Sequence, residues 1–91
     1  MLHLNQNNRF KKDFKQMERR GKDMNKLFKV IKLLLKQENQ TLIEKFRDHT
    51  LKGEYFSFRE CHIEPDWLLI YKVKDNKLFL TRTGSHSDLF E

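Results

Sequence analysis

Four side chains of this sequence can move protons at neutral pH and stand where a fold could gather them: His49, His62, Asp66 and His86. An unperturbed imidazole titrates near pH 6.5, so one histidine can take a proton while another returns one, each transfer contributing on the order of 10²- to 10⁴-fold to a rate. A single histidine in a basic chain is ordinarily a surface or packing residue, and His3 reads that way. Three from separate segments, each in a loop or near a strand end, with a carboxylate beside the second, point to shared acid–base work. Groups suited to a phosphate-bearing strand stand near them. Arg59 and Arg82 offer planar, permanently charged forks of donors, and the Trp67 indole can stack a base, worth roughly 1 to 3 kcal/mol. Each has a plainer role open to it: Asp66 as a turn residue, Trp67 as core, Arg59 and Arg82 as ion-pair partners of Glu60 or Asp88.

A zinc site is the chemical alternative, because His49, Cys61, His62 and His86 are all ligand types. Its spacing is poor. Cys61 and His62 are adjacent in a strand and point to opposite faces, and no Cys-x-x-Cys or His-Glu-x-x-His pattern is present. Cys61 is also a weak candidate nucleophile, since its face turns to the core. No metal and no cofactor is expected.

The elements that must position these residues follow from periodicity. Glu64-Pro65-Asp66 is a turn signature, so antiparallel strands lie on either side, with His62 ending the first and Asp66 and Trp67 opening the second. Strands are expected at about residues 55–63, 67–73 and 77–83, the last pair joined by a turn at Lys74-Asp75-Asn76. Trp67, Leu69, Tyr71 and Val73 alternate with Leu68, Ile70 and Lys72, so the middle strand carries apolar groups on both faces and is central. One face meets helices, and the other is left as a partly aromatic, partly polar concavity suited to a ligand. Leu2-His3-Leu4 reads as an opening strand paired elsewhere in the sheet. Asn7 or Asn8 caps a helix with Phe10, Phe14 and Met17 on one face, ended by Gly21. Asp23 caps a second helix whose apolar stripe is Met24, Leu27, Phe28, Ile31, Leu34 and Leu35. A further helical turn spans residues 41–46, and Arg47-Asp48-His49 reads as loop. The outward lysines of the two long helices, Lys11, Lys12, Lys15, Lys26, Lys29 and Lys32, form either a solvated face or a phosphate-contacting surface.

Composition limits the partners. The 91 residues make one domain, 1–91, burying roughly 60 to 65% of the surface its unfolded chain exposes. Lys and Arg number 19 against 13 for Asp and Glu, a net charge of +6, which favours nucleic acid or an acidic protein as partner. One cysteine permits no internal disulfide and favours a reducing, cytoplasmic setting. No apolar run follows Met1 and none approaches the roughly 20 residues of a membrane span, so no membrane association is expected.

The run Asp48-His49, Gly53, Arg59, then His62-Ile63-Glu64-Pro65-Asp66-Trp67-Leu68-Leu69-Ile70-Tyr71, then Arg82-Thr83-Gly84-Ser85-His86 and Leu89-Phe90 resembles the YafQ branch of the RelE-type toxins of bacterial toxin–antitoxin pairs. Asp23-Met24-Asn25-Lys26-Leu27 fits the same family. The resemblance implies an α+β fold, two N-terminal helices packed on an antiparallel sheet. It also implies a metal-independent endoribonuclease that enters the ribosomal decoding site, cuts mRNA at adenine-rich codons, and is silenced by a cognate antitoxin that links the pair to DNA. Family catalytic positions match His49, His62, Asp66 and His86, with Trp67 and Phe90 as substrate contacts. Cys61 and Thr50, where relatives carry other small residues, fall outside these positions. The rival from another class is a non-catalytic module that binds nucleic acid or an acidic protein.

Overall fold

The computed structural model describes residues 1–90. Asn7 caps the first helix, its side-chain oxygen accepting the Phe10 N–H at 2.7 Å, and Asp23 caps the second by accepting from Asn25. These caps satisfy N–H groups that a helix leaves orphaned at its start. The elements in order are β1 (His3–Gln6), α1 (Asn8–Arg19), α2 (Met24–Leu35), α3 (Asn39–Phe46), β2 (His49–Thr50), β3 (Arg59–Glu64), β4 (Trp67–Lys74), β5 (Lys77–Gly84) and α4 (His86–Phe90), with a single 3₁₀ turn at Gly53–Tyr55. Gly21, at φ +79°, turns the chain between α1 and α2 in a conformation that a side chain would disfavour.

One five-stranded sheet runs in the order β1-β5-β4-β3-β2, so the architecture is the expected α+β. All pairings are antiparallel except the outermost, where β1 runs parallel to β5. β4 is central, as its two apolar faces require. Asp75 and Asn76, at φ +52° and +62°, make the tight β4–β5 turn, the backbone geometry that matches the twist of a two-residue hairpin.

The two faces of β4 serve two cores. Toward the helices, Trp67, Leu69 and Tyr71 meet Phe10, Met17, Leu27, Val30, Leu34, Leu42, Cys61, Leu78 and Leu80. Away from them, Leu68 and Ile70 meet Leu89 of α4, with Leu51, Tyr55 and Phe58 packed alongside. Full burial of such side chains contributes roughly 1.5 to 3 kcal/mol each. The α2 stripe differs from expectation by one step: Val30 is buried and Phe28 is half exposed, because the face toward β3 is centred on Leu27, Val30 and Leu34. β3 starts at Arg59 and not near residue 55, since the preceding residues form the 3₁₀ turn and Ser57 takes a positive φ. The residues expected as loop after α3 include β2, whose His49 lies opposite Glu60 of β3.

Candidate active site

Strand alternation builds the site. Cys61 and Ile63 face the helical core, so Glu60 and His62, which alternate with them, share the opposite face. β2 carries His49 to the same place. The Nδ1 of His49 lies 2.7 Å from the Arg47 carbonyl and the Nδ1 of His62 lies 3.3 Å from the Pro65 carbonyl. A carbonyl only accepts, so these partners assign the hydrogen to Nδ1 in both rings. Each Nε2 then turns to the carboxylate of Glu60, at 3.5 Å from His49 and 3.4 Å from His62.

His86 arrives from the far end of the sheet. Asp66, in the turn between β3 and β4, accepts both the backbone N–H of His86 at 2.9 Å and its ring Nδ1–H at 2.7 Å. The backbone N–H first, and the ring second, hold the Asp66 carboxyl below its usual range, so it stands ionised beside the imidazole. The three imidazoles line up, His49 to His62 at 6.1 Å between centroids and His62 to His86 at 5.9 Å, and the half-exposed Phe90 ring follows at 6.3 Å from His86.

The helix that carries His86 and Phe90 is anchored by Asp88. Its carboxylate accepts the Ser85 N–H while the Ser85 hydroxyl accepts the Asp88 N–H, a reciprocal cap. The same carboxylate takes both terminal nitrogens of Arg20 on the α1 side, at 2.6 and 2.9 Å. Arg20, the largest cause, and the Ser85 bonds hold the Asp88 carboxyl well below the usual range. A Cβ at Gly84 would stand 2.9 Å from the Asp88 side chain, so glycine is required there by close approach.

The other expected contacts resolve differently. Trp67 has no exposed surface: it points with Leu69 and Tyr71 into the helical core and donates its indole N–H to Thr83 at 3.0 Å. It supports the sheet and does not reach a substrate. Arg59 and Arg82 lie on strands separated by β4, and their partners are neither Glu60 nor Asp88. Arg59 binds Asp48 at 2.7 Å, and Arg82 binds Asp13 of α1 at 2.6 Å. Buried Asp48 also accepts the Tyr71 hydroxyl, and burial first, then Asp48, pushes that phenol far above its usual range. Lys26 is tied to Glu64 at 2.8 Å, whereas Lys11, Lys12, Lys15, Lys29 and Lys32 are exposed on the helical side. Cys61 is fully buried, and burial drives its thiol well up, so it is neither nucleophile nor ligand.

Glu60 is the residue that sequence reasoning missed. It sits two positions before His62, and the same period-of-two argument that separates Cys61 from His62 places Glu60 beside it. His49, Glu60 and His62 present ligand atoms within 4.8 Å of one another, a nitrogen and oxygen donor set that suits ions such as Zn²⁺ or Cu²⁺. The expected metal alternative therefore has a different membership from the one its residue types suggested.

The chain as a whole matches known proteins. A family model described as a bacterial toxin of type II toxin–antitoxin system, YafQ, matches residues 2–91. The mRNA interferase toxin YafQ of Escherichia coli (strain K12) is 44% identical over 81 residues, which cover 89% of this chain and 87% of that protein. A copper-bound mutant toxin from Helicobacter pylori superposes with a TM-score of 0.91 at 50% identity, over 99% of this chain and 100% of the other. YafQ in the E. coli DinJ-YafQ complex superposes with a TM-score of 0.87 at 36% identity, over the whole of both chains.

Proposed function

This chain belongs to the YafQ family of type II toxins, and from that membership we propose that it is an mRNA interferase, an endoribonuclease that cuts messenger in the ribosomal decoding site. The observation that carries the chemistry is the row of three imidazoles with a carboxylate at two of its joints: Glu60 between His49 and His62, Asp66 on His86. In this reading the 2′-hydroxyl of the messenger attacks the adjacent phosphorus, its proton passing to His49 Nε2. The bond from phosphorus to the 5′-oxygen breaks, and His86 supplies a proton to that oxygen. The products are a 2′,3′-cyclic phosphate and a 5′-hydroxyl. Asp66 is engaged with His86 and is therefore the positioning group for the acid, which leaves the base to His49. Glu60, facing both Nε2 atoms, stabilises the imidazolium that forms when His49 takes the proton, and His62 stands between base and acid, where negative charge develops on phosphate oxygens. Phe90 offers a ring for a base beside the break. Each proton has a side chain to move it, so the scheme calls for no metal. An ion held by His49, Glu60 and His62 would instead occupy the nitrogen the base uses.

The exposed lysines of α1 and α2 lie across the sheet from the imidazole row and suit ribosomal RNA, a contact that weakens steeply with salt. An acidic antitoxin has two features to use. One is the apolar groove of about 560 Å³ among Phe10, Phe14, Phe28 and Ile31, with Lys11, Lys15 and Lys32 at its rim; the other is the outer edge of β1, which has no strand partner among the described residues. DNA would be reached through that complex.

The experiment uses programmed ribosomes and purified protein with a chelator selective for zinc and copper, which leaves the ribosomes' Mg²⁺ in place. Cleavage with cyclic-phosphate ends is expected, together with its loss in His86→Ala and Asp66→Ala variants that still fold and still bind the neighbouring gene product. Products with 3′-hydroxyl ends, or cleavage abolished by chelator, would overturn the scheme. Growth inhibition unchanged in both variants would point to a binding module.

A further inference from the structure

The face of the sheet that holds the imidazole row continues past it. Phe79 lies between Leu78 and Leu80, both in the helical core, so its own ring faces the other way. Lys72 of β4 and Asn5 of β1 are its Cα partners on either side, and the three form one row across the strands. With Phe58, Lys74 and Thr81 they line a groove of about 470 Å³. None of the residues lining it is acidic.

Rings connect this groove to the imidazoles. Phe90, beside His86, meets Tyr55 edge-on at 6.0 Å; Tyr55 meets Phe58 edge-on at 6.1 Å; and the Lys72 ammonium stands 5.2 Å from the Phe58 centroid. Lys72 is four residues along β4 from Leu68, the partner of His62, so the groove begins about 13 Å from the row at ~3.3 Å per strand residue. Partly exposed rings leading to an ammonium, with a second lysine and a side-chain amide beyond, match a single-stranded nucleic acid: rings for bases, lysines for phosphate, Asn5 for a base edge. A groove built for an apolar helix would not carry two lysines and an amide in its lining.

We propose that this groove across β4, β5 and β1 is a second RNA subsite, which holds a phosphate and base further along the strand from the bond that is cut. It rests on the ribonuclease reading and adds to it where the strand runs after the imidazole row. Lys72 and Lys74 take the phosphate, and Phe79 takes the base against its exposed face.

The test is an amide-resolved NMR titration of the free protein with two RNAs that carry a 2′-deoxy sugar at the reacting position: a dinucleotide, and a longer strand. The dinucleotide is expected to move signals around His62 and His86 alone, and the longer strand to move Asn5, Lys72 and Phe79 as well. Lys72→Ala should weaken the longer strand about five- to tenfold and leave the dinucleotide unchanged, with Lys72→Arg restoring it. Phe79→Leu keeps an apolar group and should show the same selective loss if its melting temperature is retained. Absence of shifts at Asn5, Lys72 and Phe79 with the longer strand, or equal weakening of both RNAs by Lys72→Ala, overturns the subsite. Shifts there with an acidic peptide but not with RNA overturn it in favour of a protein contact. Failure of the wild-type protein to cut messenger on ribosomes would remove the nuclease reading through a separate measurement.

Discussion

Replacing Asp88 by alanine should uncouple the helix that carries His86 from the rest of the fold. The substitution removes the acceptor of the Ser85 N–H, a capping loss of about 1 kcal/mol. It also removes the Arg20 pair, whose side chains are 40% and 20% exposed and which solvent limits to roughly 0.5 to 1 kcal/mol. The sum, about 1.5 to 2 kcal/mol, lowers the melting temperature by about 6 to 16 °C in a domain of this size. The sign of its pH dependence follows from the depressed folded-state carboxyl. Asp88 stabilises the fold fully above its unfolded pKa of about 3.9, and that stability is lost as pH falls toward the lower folded value. The gap between wild type and Asp88→Ala, followed by circular dichroism melts, should hold constant above about pH 5 and shrink below pH 4. Arg20→Gln, which spares the reciprocal cap, should lose only the smaller share. Because α4 positions both His86 and Phe90, kcat on programmed ribosomes should fall by up to about 10²-fold at temperatures where the variant is folded. A variant with the wild-type melting temperature and kcat, or a gap that widens in acid, would refute the reasoning.

Glu60→Gln keeps the shape between His49 and His62 and removes the charge that stabilises their protonated forms; cleavage should drop by about 10²-fold with the circular dichroism spectrum unchanged, measured by single-turnover assay. Trp67→Phe should cost about 1 to 3 kcal/mol in urea melts, by leaving the buried Thr83 hydroxyl without its donor and a void beside it, with RNA binding unaltered because the indole never reaches the surface. Asp48→Ala leaves the Tyr71 hydroxyl unpaired in the core and returns the partly exposed Arg59 guanidinium to solvent, and should cost about 1.5 to 3 kcal/mol by the same measurement. Cys61 should resist a thiol reagent at pH 8 in the native protein and react at once in denaturant, since burial both shields it and disfavours its thiolate.

Local rules made much of this protein legible from its residues. Asn7 and Asp23 declare helix starts because short polar side chains satisfy orphaned N–H groups, and Glu64-Pro65-Asp66 and Asp75-Asn76 declare hairpins because few residues suit those backbone angles. The double-apolar alternation of β4 made it central, and the three histidines with Asp66 are the residues that the structure gathers on one face. What needed the tertiary structure was every pairing between distant segments. Sequence spacing cannot say that Arg82 answers Asp13, that Asp48 serves Arg59 and Tyr71, or that β1 closes the sheet in parallel, because those contacts depend on where the chain returns after several turns. Trp67 shows the limit most plainly. Its position beside Asp66 suggested a shared rim, yet one step along a strand reverses the face, and only the packed sheet shows that the carboxylate turns to His86 while the indole turns to the core.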